Sequence, residues 1–472
     1  MIRPRFNLRR EVAALIAALH FVGGAVALGP HQVLVLVRKD DPDGLRVANH
    51  FRVVRGVPPE QFVHLSYSGS PWRCDWAQFE REILRPARDH VERRGLRERI
   101  CCWVTTPGLP YRVGDNGISG AIHFGAEEKA VNSPSLGPAG FKNSNAYFDQ
   151  FVAIDGFAPG SRAPKRPLHM HLAGPPAGAL VELIDRAKRV DGTSPAGTVY
   201  LCEGDGPRGS RRGTIPGATR LLDALFIPNR VLPAGTFTGK SDILGLFTGV
   251  VAFPIEKNVF VPGALADHLT SCGGMLADPQ GQRLAQDFLP AGCVATYGAV
   301  VEPYNYPQKF PAAMVHPVYA AGFTAAEAYW MCVAWPQQGL FQGDPLARPF
   351  GKGPSIAIAS PRPSQEFGNE LAIDVSAELA GPGAGVAALE LWIDGRRIAF
   401  LGQRGLPTDV ELKVEVGGKS VTQKNPTGAT LAQMLQQLQR QLAAADIQAR
   451  IGPSALFLFR RPGDPSMKLA AS

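Results

Sequence analysis

The sequence predicts an α/β protein with a mostly parallel sheet and helices on both faces. Between residues 30 and 352, short apolar runs alternate with longer segments whose apolar side chains recur every three or four positions. The short runs are apolar throughout, which is typical of strands that are buried on both faces in a parallel sheet. A length of 472 residues leaves room for further domains after this one.

The first part of this region predicts three strands and two helices. Strands are predicted at 33–37, 62–67 and 100–106, and helices at 42–56 and 76–91. Residues 112–145 break the pattern with many Gly, Ser and Asn residues and carry Asp115 and His123. Because so long a structureless segment is uncommon inside a domain, we interpret it as a loop inserted at the mouth of a cleft.

The alternation resumes at residue 167. Strands are predicted at 167–172, 198–202, 242–247 and 293–300, and helices at 178–190, 217–226 and 310–335. His169 and His171 lie two positions apart on a strand and face the same side, as half-buried side chains or, less simply, as a metal pair. The segment GLFQGDPLARPFG closes the domain near residue 352. In it, Asp344 is predicted to begin a turn, with a cleft carboxylate as the alternative.

Two smaller units are predicted after this domain. Residues 353–405 contain short alternating strands and an Asp394-Gly395 hairpin turn, which indicate an all-β module of the immunoglobulin-like sandwich kind. Residues 409–472 predict a short α+β tail with one helix at 428–444.

The first 27 residues are predicted to be a secretory signal peptide. A basic start precedes an apolar run that ends in Ala25-Val26-Ala27, an A-x-A cleavage signal. We therefore expect an exported protein that begins at Leu28, located in the periplasm, at the cell surface or outside the cell. No later segment is long and apolar enough to predict a transmembrane helix.

Charge and cysteine content exclude several classes of partner and cofactor. Cleavage would lower the net charge from +8 to about +5, which is too mild to indicate nucleic-acid binding. The basic stretch 208–212 in DGPRGSRRG is interpreted as a solvated loop. The seven cysteines include no C-x-x-C pair, so no zinc site is predicted, and we expect no cofactor. An unidentified protein or cell-surface partner is expected instead.

The stretch 258–306 holds the main candidate site. Asp267, His268, Ser271, Cys272 and a Gly273-Gly274 pair lie within eight residues. The strand at 293–300 then leads into a loop whose polar residues are Glu302, Tyr304, Tyr306 and Lys309. Open α/β sheets bind ligands at the carboxyl ends of their strands, so both segments are predicted to contribute to one cleft.

Cys272 and His268 are the candidate catalytic residues of this stretch. If residues 264–272 form a helix, these two side chains share one face, and His268 would serve as a base for a Cys272 nucleophile. The amides of Gly273 and Gly274 would then stabilise an oxyanion. Cys272 is alternatively a buried structural thiol or a disulfide partner. Asp267, Gly273, Gly274, Glu302, Tyr304, Tyr306 and Asp344 are the candidate binding residues.

Residues 30–350 also carry a series of motifs that resemble a known family. The motifs are VLVLVRKDDPDGLRVANHF, EREILRPARDHV, WVTTPGLPYRV, PGALADHLTSCGG, CVATYGAVVEPYNYPQKFP, FTAAEAYW and GDPLARPF. They resemble a family of uncharacterised exported bacterial proteins, itself distantly similar to gingipain-like and caspase-like cysteine peptidases. The resemblance implies a caspase-like α/β fold.

The resemblance also implies where peptidase residues would stand. In those peptidases the nucleophilic Cys follows one strand, and the general-base His follows the preceding strand, usually as His-Gly. The Cys block falls here on Thr270-Ser271-Cys272-Gly273-Gly274, whereas the preceding strand ends in Thr248-Gly249 without a His.

Three functions follow as hypotheses. The first is a pseudoenzyme, a secreted caspase-like domain with a binding or scaffolding role. The second is a cysteine peptidase that uses Cys272, with His268 as a displaced base. The third is a metal-dependent hydrolase built on Asp115, His123, Asp267 and His268.

Overall fold

The computed structural model describes residues 28–351 except for 128–144, 149–165, 205, 236 and 278–279, together with short segments outside this range. Its main feature is one ten-stranded sheet. The strands of this sheet, numbered in chain order, are β1 (Val33–Arg38), β2 (Phe62–Leu65), β3 (Cys102–Thr105), β4 (Leu168–His171), β5 (Thr198–Cys202), β6 (Asn229–Leu232), β7 (Ile243–Thr248), β8 (Phe260–His268), β9 (Ala295–Ala299) and β10 (Gly339–Gly343).

The strands lie in the order β6-β5-β7-β8-β9-β10-β4-β3-β1-β2. Every neighbouring pair is parallel except β9 and β10, which confirms the predicted mostly parallel α/β sheet. Because β10 is antiparallel to β9 and parallel to β4, strands β1–β4 run opposite to β5–β9. The carboxyl ends of the two groups therefore lie at opposite edges of the sheet.

Eight α-helices are found among the described residues. They are α1 (Pro42–Arg55), α2 (Trp76–Phe79), α3 (Arg85–Arg93), α4 (Ile118–Phe124), α5 (Ala177–Val190), α6 (Ile215–Ala224), α7 (Val315–Ala320) and α8 (Ala325–Cys332). A π-helical segment, Glu80–Leu84, joins α2 to α3. The helix predicted at 310–335 is divided in two, because Gly322 adopts a left-handed φ of 96° between α7 and α8.

Helices cover both faces of the sheet, as predicted. Alternate side chains of β1 show this, since Val33, Val35 and Val37 pack with apolar residues of α1, α5 and α8. The side chains between them, Leu34 and Leu36, pack with residues of the 76–93 helical segment and α4 on the other face. The uniformly apolar strand pattern thus arises from two hydrophobic cores that share one sheet.

Two segments differ from their predicted structure. Residues 260–268 form strand β8 and not part of a helix, because this largely apolar segment pairs with β7 on one side and β9 on the other. The described residues between β8 and β9 contain only turns, bends and a short 3₁₀ helix at Ala285–Phe288. Strand β10, predicted only as a closing segment, lies in the middle of the sheet and joins its two halves.

Beyond residue 354 most of the described residues belong to antiparallel strands, and a few between 437 and 444 are helical. The paired strands are Ser355–Ser360 with Glu370–Glu378, Ala388–Ile393 with Arg396–Gly402, Glu411–Val416 with Lys419–Lys424, and Gln448–Ile451 with Leu456–Phe459. The sandwich arrangement of 353–405 and the α+β tail stay predictions, since much of both units, including most of the helix predicted at 428–444, lies outside the described residues.

Ahead of Leu28, the described segments Arg5–Arg9 and Ala18–Phe21 pair with strands of the C-terminal part. Most of the predicted signal peptide lies outside the described residues, and its cleavage stays a prediction. Within the described parts of the chain, no helix combines the length and apolar character needed to cross a membrane.

Candidate functional site

The carboxyl ends of β7, β8 and β9 meet at one edge of the sheet. Thr248, the last residue of β7, is in register with His268, the last residue of β8. The chain after β8 then turns over the end of β9, where Gly274 N donates a hydrogen bond to Ala299 O at 2.9 Å. The motif at 270–274 is therefore held against the end of the neighbouring strand.

Gly274, after β8, and Gly298, in β9, allow the backbones of these two segments to approach each other closely. A Cβ on Gly274 would lie 2.6 Å from Gly298 O, and a Cβ on Gly298 would lie 2.4 Å from Gly274 N. Both positions therefore require glycine for steric reasons. Because the Gly274 amide already donates to a strand carbonyl, it does not serve as the predicted oxyanion donor.

A cavity of about 250 Å³ opens at this edge. Its polar lining comprises the partly exposed Arg208, the hydroxyl residues Thr270 and Ser271, and Glu302 and Asn305 from the loop after β9. The remaining lining residues are Pro207, Leu269, Pro303, Tyr304 and Phe310. The cavity thus combines one cation, two hydroxyls, a carboxylate and an amide with an apolar wall.

Thr270 supplies a hydroxyl that is not used by the fold. The residue is fully buried, and its Oγ1 has no hydrogen-bond partner among the described residues. A buried hydroxyl without a partner costs free energy, so this position beside the cavity is energetically unfavourable as it stands.

Beside the cavity, Arg211 and Asp267 form a buried ion pair. Both side chains are almost completely inaccessible, and Arg211 Nη1 donates to Asp267 Oδ2. The guanidinium also donates to Thr248 O at 2.9 Å and to Pro311 O at 2.7 Å. The Cζ atom of Arg211 lies 5.6 Å from the ring centre of Phe310, and Phe310 lines the cavity. The ion pair therefore supports the cavity wall from behind.

This ion pair is incompletely satisfied. Among the described residues, neither Asp267 Oδ1 nor Arg211 Nε has a hydrogen-bond partner. Burial raises the pKa of Asp267 to about 6, although the Arg211 charge acts in the opposite direction. The carboxyl group therefore changes its protonation state in the mildly acidic range.

His268 and Cys272 are engaged by different groups. The His268 imidazole is fully buried near Phe253 and Phe288, and its Nε2 donates to Val250 O at 2.6 Å. Burial lowers its pKa to about 4. Cys272 is 4% exposed, and its Sγ donates to Gln280 Oε1 at 3.3 Å. Since residues 264–268 are a strand, the helical spacing that would have joined the two side chains is absent.

The loop after β9 packs two tyrosines around a lysine. Tyr304 and Tyr306 have ring centres 5.9 and 5.3 Å from Lys309 Nζ, within the range of cation–π attraction. Burial lowers the Lys309 pKa to about 8. Glu302 Oε1 accepts a hydrogen bond from Tyr304 N at 2.8 Å, and Tyr304 has a left-handed φ of 54°. Of the predicted residues of this loop, Glu302 and Tyr304 line the cavity, whereas Tyr306 and Lys309 are not among its lining residues.

The structure does not bring Asp344 to this site. It follows β10, whose carboxyl end lies at the opposite edge of the sheet, and its Oδ2 accepts from Arg55 Nε at 2.7 Å. The four residues of the metal hypothesis are also not gathered: Asp115 pairs with Arg112, and His123 Nδ1 donates to Pro167 O. Across the described ranges, no three His, Cys, Asp or Glu side chains are grouped for a metal ion.

His169 and His171 share one hydrogen-bond partner in the core. Thr105 Oγ1 lies 2.9 Å from His169 Nε2 and 2.7 Å from His171 Nδ1. Both rings are fully buried, more deeply than the predicted half-burial, and burial lowers the pKa of His171 to about 3. They face the same side, as predicted, as neutral core side chains.

The positions of two arginines at this edge were missed by the sequence analysis. The stretch 208–212 was interpreted as a solvated loop, but Arg208 lines the cavity and Arg211 is buried against Asp267. A Gly- and Arg-rich stretch carries no local signal for such burial, because the carboxylate that receives Arg211 lies 56 positions away.

Comparison of the chain with protein-family models, with curated proteins and with solved structures gave no match.

Proposed function

We propose that this protein is an exported binding protein that holds a carboxylate-bearing chain end of a partner in the cavity at the ends of β8 and β9. The cavity itself carries the proposal, because its lining includes Arg208 together with Thr270 and Ser271. Guanidinium groups bind carboxylates through paired, charge-assisted hydrogen bonds. Capture of a terminal carboxylate is a known mode of peptide recognition.

The size and wall of the cavity favour a chain end over a large ligand. Its volume of about 250 Å³ is below the roughly 300–1,000 Å³ typical of pockets for drug-sized molecules. Leu269, Pro303 and Phe310 would contact an apolar last side chain, and Asn305 and Glu302 would bind the peptide group that precedes it. The expected ligand is thus a peptide chain end with a free carboxylate and an apolar last side chain.

The test is a comparison of two peptide pools that differ only at their last group. The protein from Leu28 onward would be presented with random peptides ending in a free carboxylate and with the same pool amidated. We expect selective retention of the carboxylate pool. Single retained peptides would then be measured by fluorescence anisotropy.

Arg208→Ala should weaken binding about tenfold, since a hydrogen bond to a charged group contributes roughly 1.5–3 kcal/mol and Arg208 is partly exposed. Arg212→Ala is the matched control, because Arg212 belongs to the same basic stretch but does not line the cavity. Equal retention of both pools, or equal effects of the two substitutions, would contradict the proposal.

A further inference from the structure

A buried carboxylate lies beside the residue that the predicted cleavage would expose. Leu28 N donates to Glu327 Oε1 across 3.3 Å, although 299 positions separate the two residues. Glu327 is fully buried in α8, and Leu28 is 4% exposed. The backbone nitrogen of the residue predicted to begin the mature chain therefore contacts a carboxylate in the core.

The other oxygen of Glu327 belongs to the helix cap. Oε2 accepts from Thr324 N at 2.8 Å, which together with the bond from Glu327 N to Thr324 Oγ1 forms the capping box that begins α8. Oε2 also accepts from Thr324 Oγ1 at 2.7 Å. Oε1 is left for Leu28. Among the described residues, no salt bridge involves Glu327. Burial raises the pKa of its carboxyl group, against the Thr324 hydrogen bonds and the charge of Arg348.

A buried carboxylate without a close cation is costly, because neutral donors offset only part of the lost hydration. The position of Leu28 would provide that cation. Its side chain belongs to the large hydrophobic core, and the next residue is held as well, since Gly29 N donates to Gln32 Oε1 at 3.0 Å. Both contacts keep the Leu28 nitrogen beside Glu327.

We propose that cleavage between Ala27 and Leu28 creates an α-ammonium group that forms a buried ion pair with Glu327. In this hydrolysis one water molecule adds across the amide bond. Its oxygen forms the Ala27 carboxylate, and both its protons go to the Leu28 nitrogen, which becomes an ammonium group. Removal of the leader thereby adds a positive charge in direct contact with Glu327, on which Arg348 acts only from beyond ion-pair distance, and stability of the α/β domain is coupled to processing.

The first test is N-terminal sequencing of exported protein, which should return Leu28. A start at any other residue overturns the proposal. This includes retention of Arg5–Arg9 and Ala18–Phe21, which would then remain paired with the C-terminal strands.

The second test compares two chain lengths in two backgrounds. One chain begins at Leu28, and the other begins at Val26 and keeps the Leu28 amide but moves the ammonium two residues away. Both extend to Ser472, and urea unfolding is measured for each. We expect the equilibrium constant for unfolding to be on the order of 100-fold larger for the longer chain, because one partner of a buried pair is lost.

In the Glu327→Gln background this difference between chain lengths should disappear, whereas Glu256→Gln, at an exposed position, should preserve it. A difference that persists in Glu327→Gln overturns the ion pair. Acetylation of amines, followed by mass spectrometry, provides a readout that does not need reversible unfolding. The Leu28 amine should react more slowly than the exposed lysines in the unsubstituted protein, and equal rates overturn the proposal.

Discussion

The two edges of the large sheet each hold a buried arginine–aspartate pair, and the pairs differ in how completely they are bonded. Arg55 and Asp344 form the pair at the carboxyl end of β10. Arg211 and Asp267 form the pair beside the cavity, near the end of β8. In both pairs the arginine side chain is 2% exposed and the aspartate is fully buried.

The pair at the β10 edge is bonded through both carboxylate oxygens. Asp344 Oδ2 accepts from Arg55 Nε, and Oδ1 accepts from Leu346 N at 2.9 Å. Arg55 also donates to Asp191, which in turn accepts from the backbone amide of Arg348. This pair therefore ties α1, the end of α5 and the segment after β10 together, and we interpret its role as structural.

The pair at the cavity edge keeps unused bonding capacity. Each arginine has one nitrogen without a hydrogen-bond partner within the described residues, Nη2 of Arg55 and Nε of Arg211, but only Asp267 has an oxygen without one. A buried ion pair by itself therefore does not mark a functional site. The second pair differs from the first in the unbonded oxygen of its aspartate and in its place beside an open cavity.

The largest expected effect is the loss of stability caused by Asp344→Asn, compared with the matched substitution at Asp267. Asp344→Asn should lower the free energy of unfolding by about 3 kcal/mol at pH 7, because its amide group would face either Arg55 Nε or Leu346 N, both donors. Asp267→Asn should cost less, about 2 kcal/mol, since the amide nitrogen takes the place of the oxygen without a partner although the buried Arg211 loses its counter-charge. Urea unfolding of both variants measures the difference.

Asp191→Asn serves as a control at the β10 edge, because this carboxylate is only partly buried and its loss should cost less than that of Asp344. Equal losses for the Asp344 and Asp267 variants would show that the two pairs have the same structural role.

The next effect is a change in the pH dependence of stability. The folded-state pKa of Asp267, about 6, lies above its ordinary value of 3.8. The folded protein therefore holds this proton more tightly, and the stabilisation is present below about pH 4 and lost as the pH rises to about 6. Asp267→Asn should remove a fall on the order of 2 kcal/mol over this interval.

The pH profile of Asp267→Asn is needed for comparison, because titration of His268 changes the stability in the opposite direction over the same pH range. Its pKa is lowered from 6.5 to about 4, so its contribution is present above pH 6.5 and lost as the pH falls to about 4. Urea unfolding at pH 4, 5, 6 and 7 for the unsubstituted protein and Asp267→Asn isolates the aspartate. Parallel pH profiles would contradict the raised pKa.

The smallest expected effect concerns Cys272. Its buried thiol donates to Gln280, and no histidine follows β7, so we expect cleavage of a peptide substrate panel to stay at the background rate. Cys272→Ala should leave that rate unchanged, with Cys74→Ala as a control at another buried cysteine. Robust cleavage that only Cys272→Ala abolishes would establish a cysteine peptidase and replace the binding proposal.

Much of the α/β domain could be predicted because its strands and helices have local signals. The strand at 198–202 and the helix at 178–190 were predicted within one residue of their observed bounds, since one is uniformly apolar and the other has a clear apolar face. Residues 264–268 misled the same reasoning. Short apolar segments suit either a buried strand or a buried helix, and only the neighbouring strands settle the choice.

The candidate site was located in part. Ser271 and the loop after β9 could be assigned to one edge, because the carboxyl ends of parallel neighbours meet there. Arg208 could not be assigned to this edge, because the Gly- and Arg-rich stretch around it is typical of a solvated loop. Asp344 was grouped with the wrong residues. Strand β10 is antiparallel to β9, so its carboxyl end lies at the opposite edge of the sheet, and no local sequence pattern indicates this direction.

The sequence by itself determined the alternation of strands and helices, because hydrophobic periodicity is a property of neighbouring residues. For Gly273 and Gly274 the sequence suggested oxyanion donors, whereas the close approach of Gly274 to Gly298 is visible only in the structure. Which polar and charged groups meet depended on the tertiary structure. The Arg211–Asp267 pair and the Leu28–Glu327 contact join residues 56 and 299 positions apart. Such contacts depend on the order and direction of strands, which are set by packing of the whole sheet and not by any local segment.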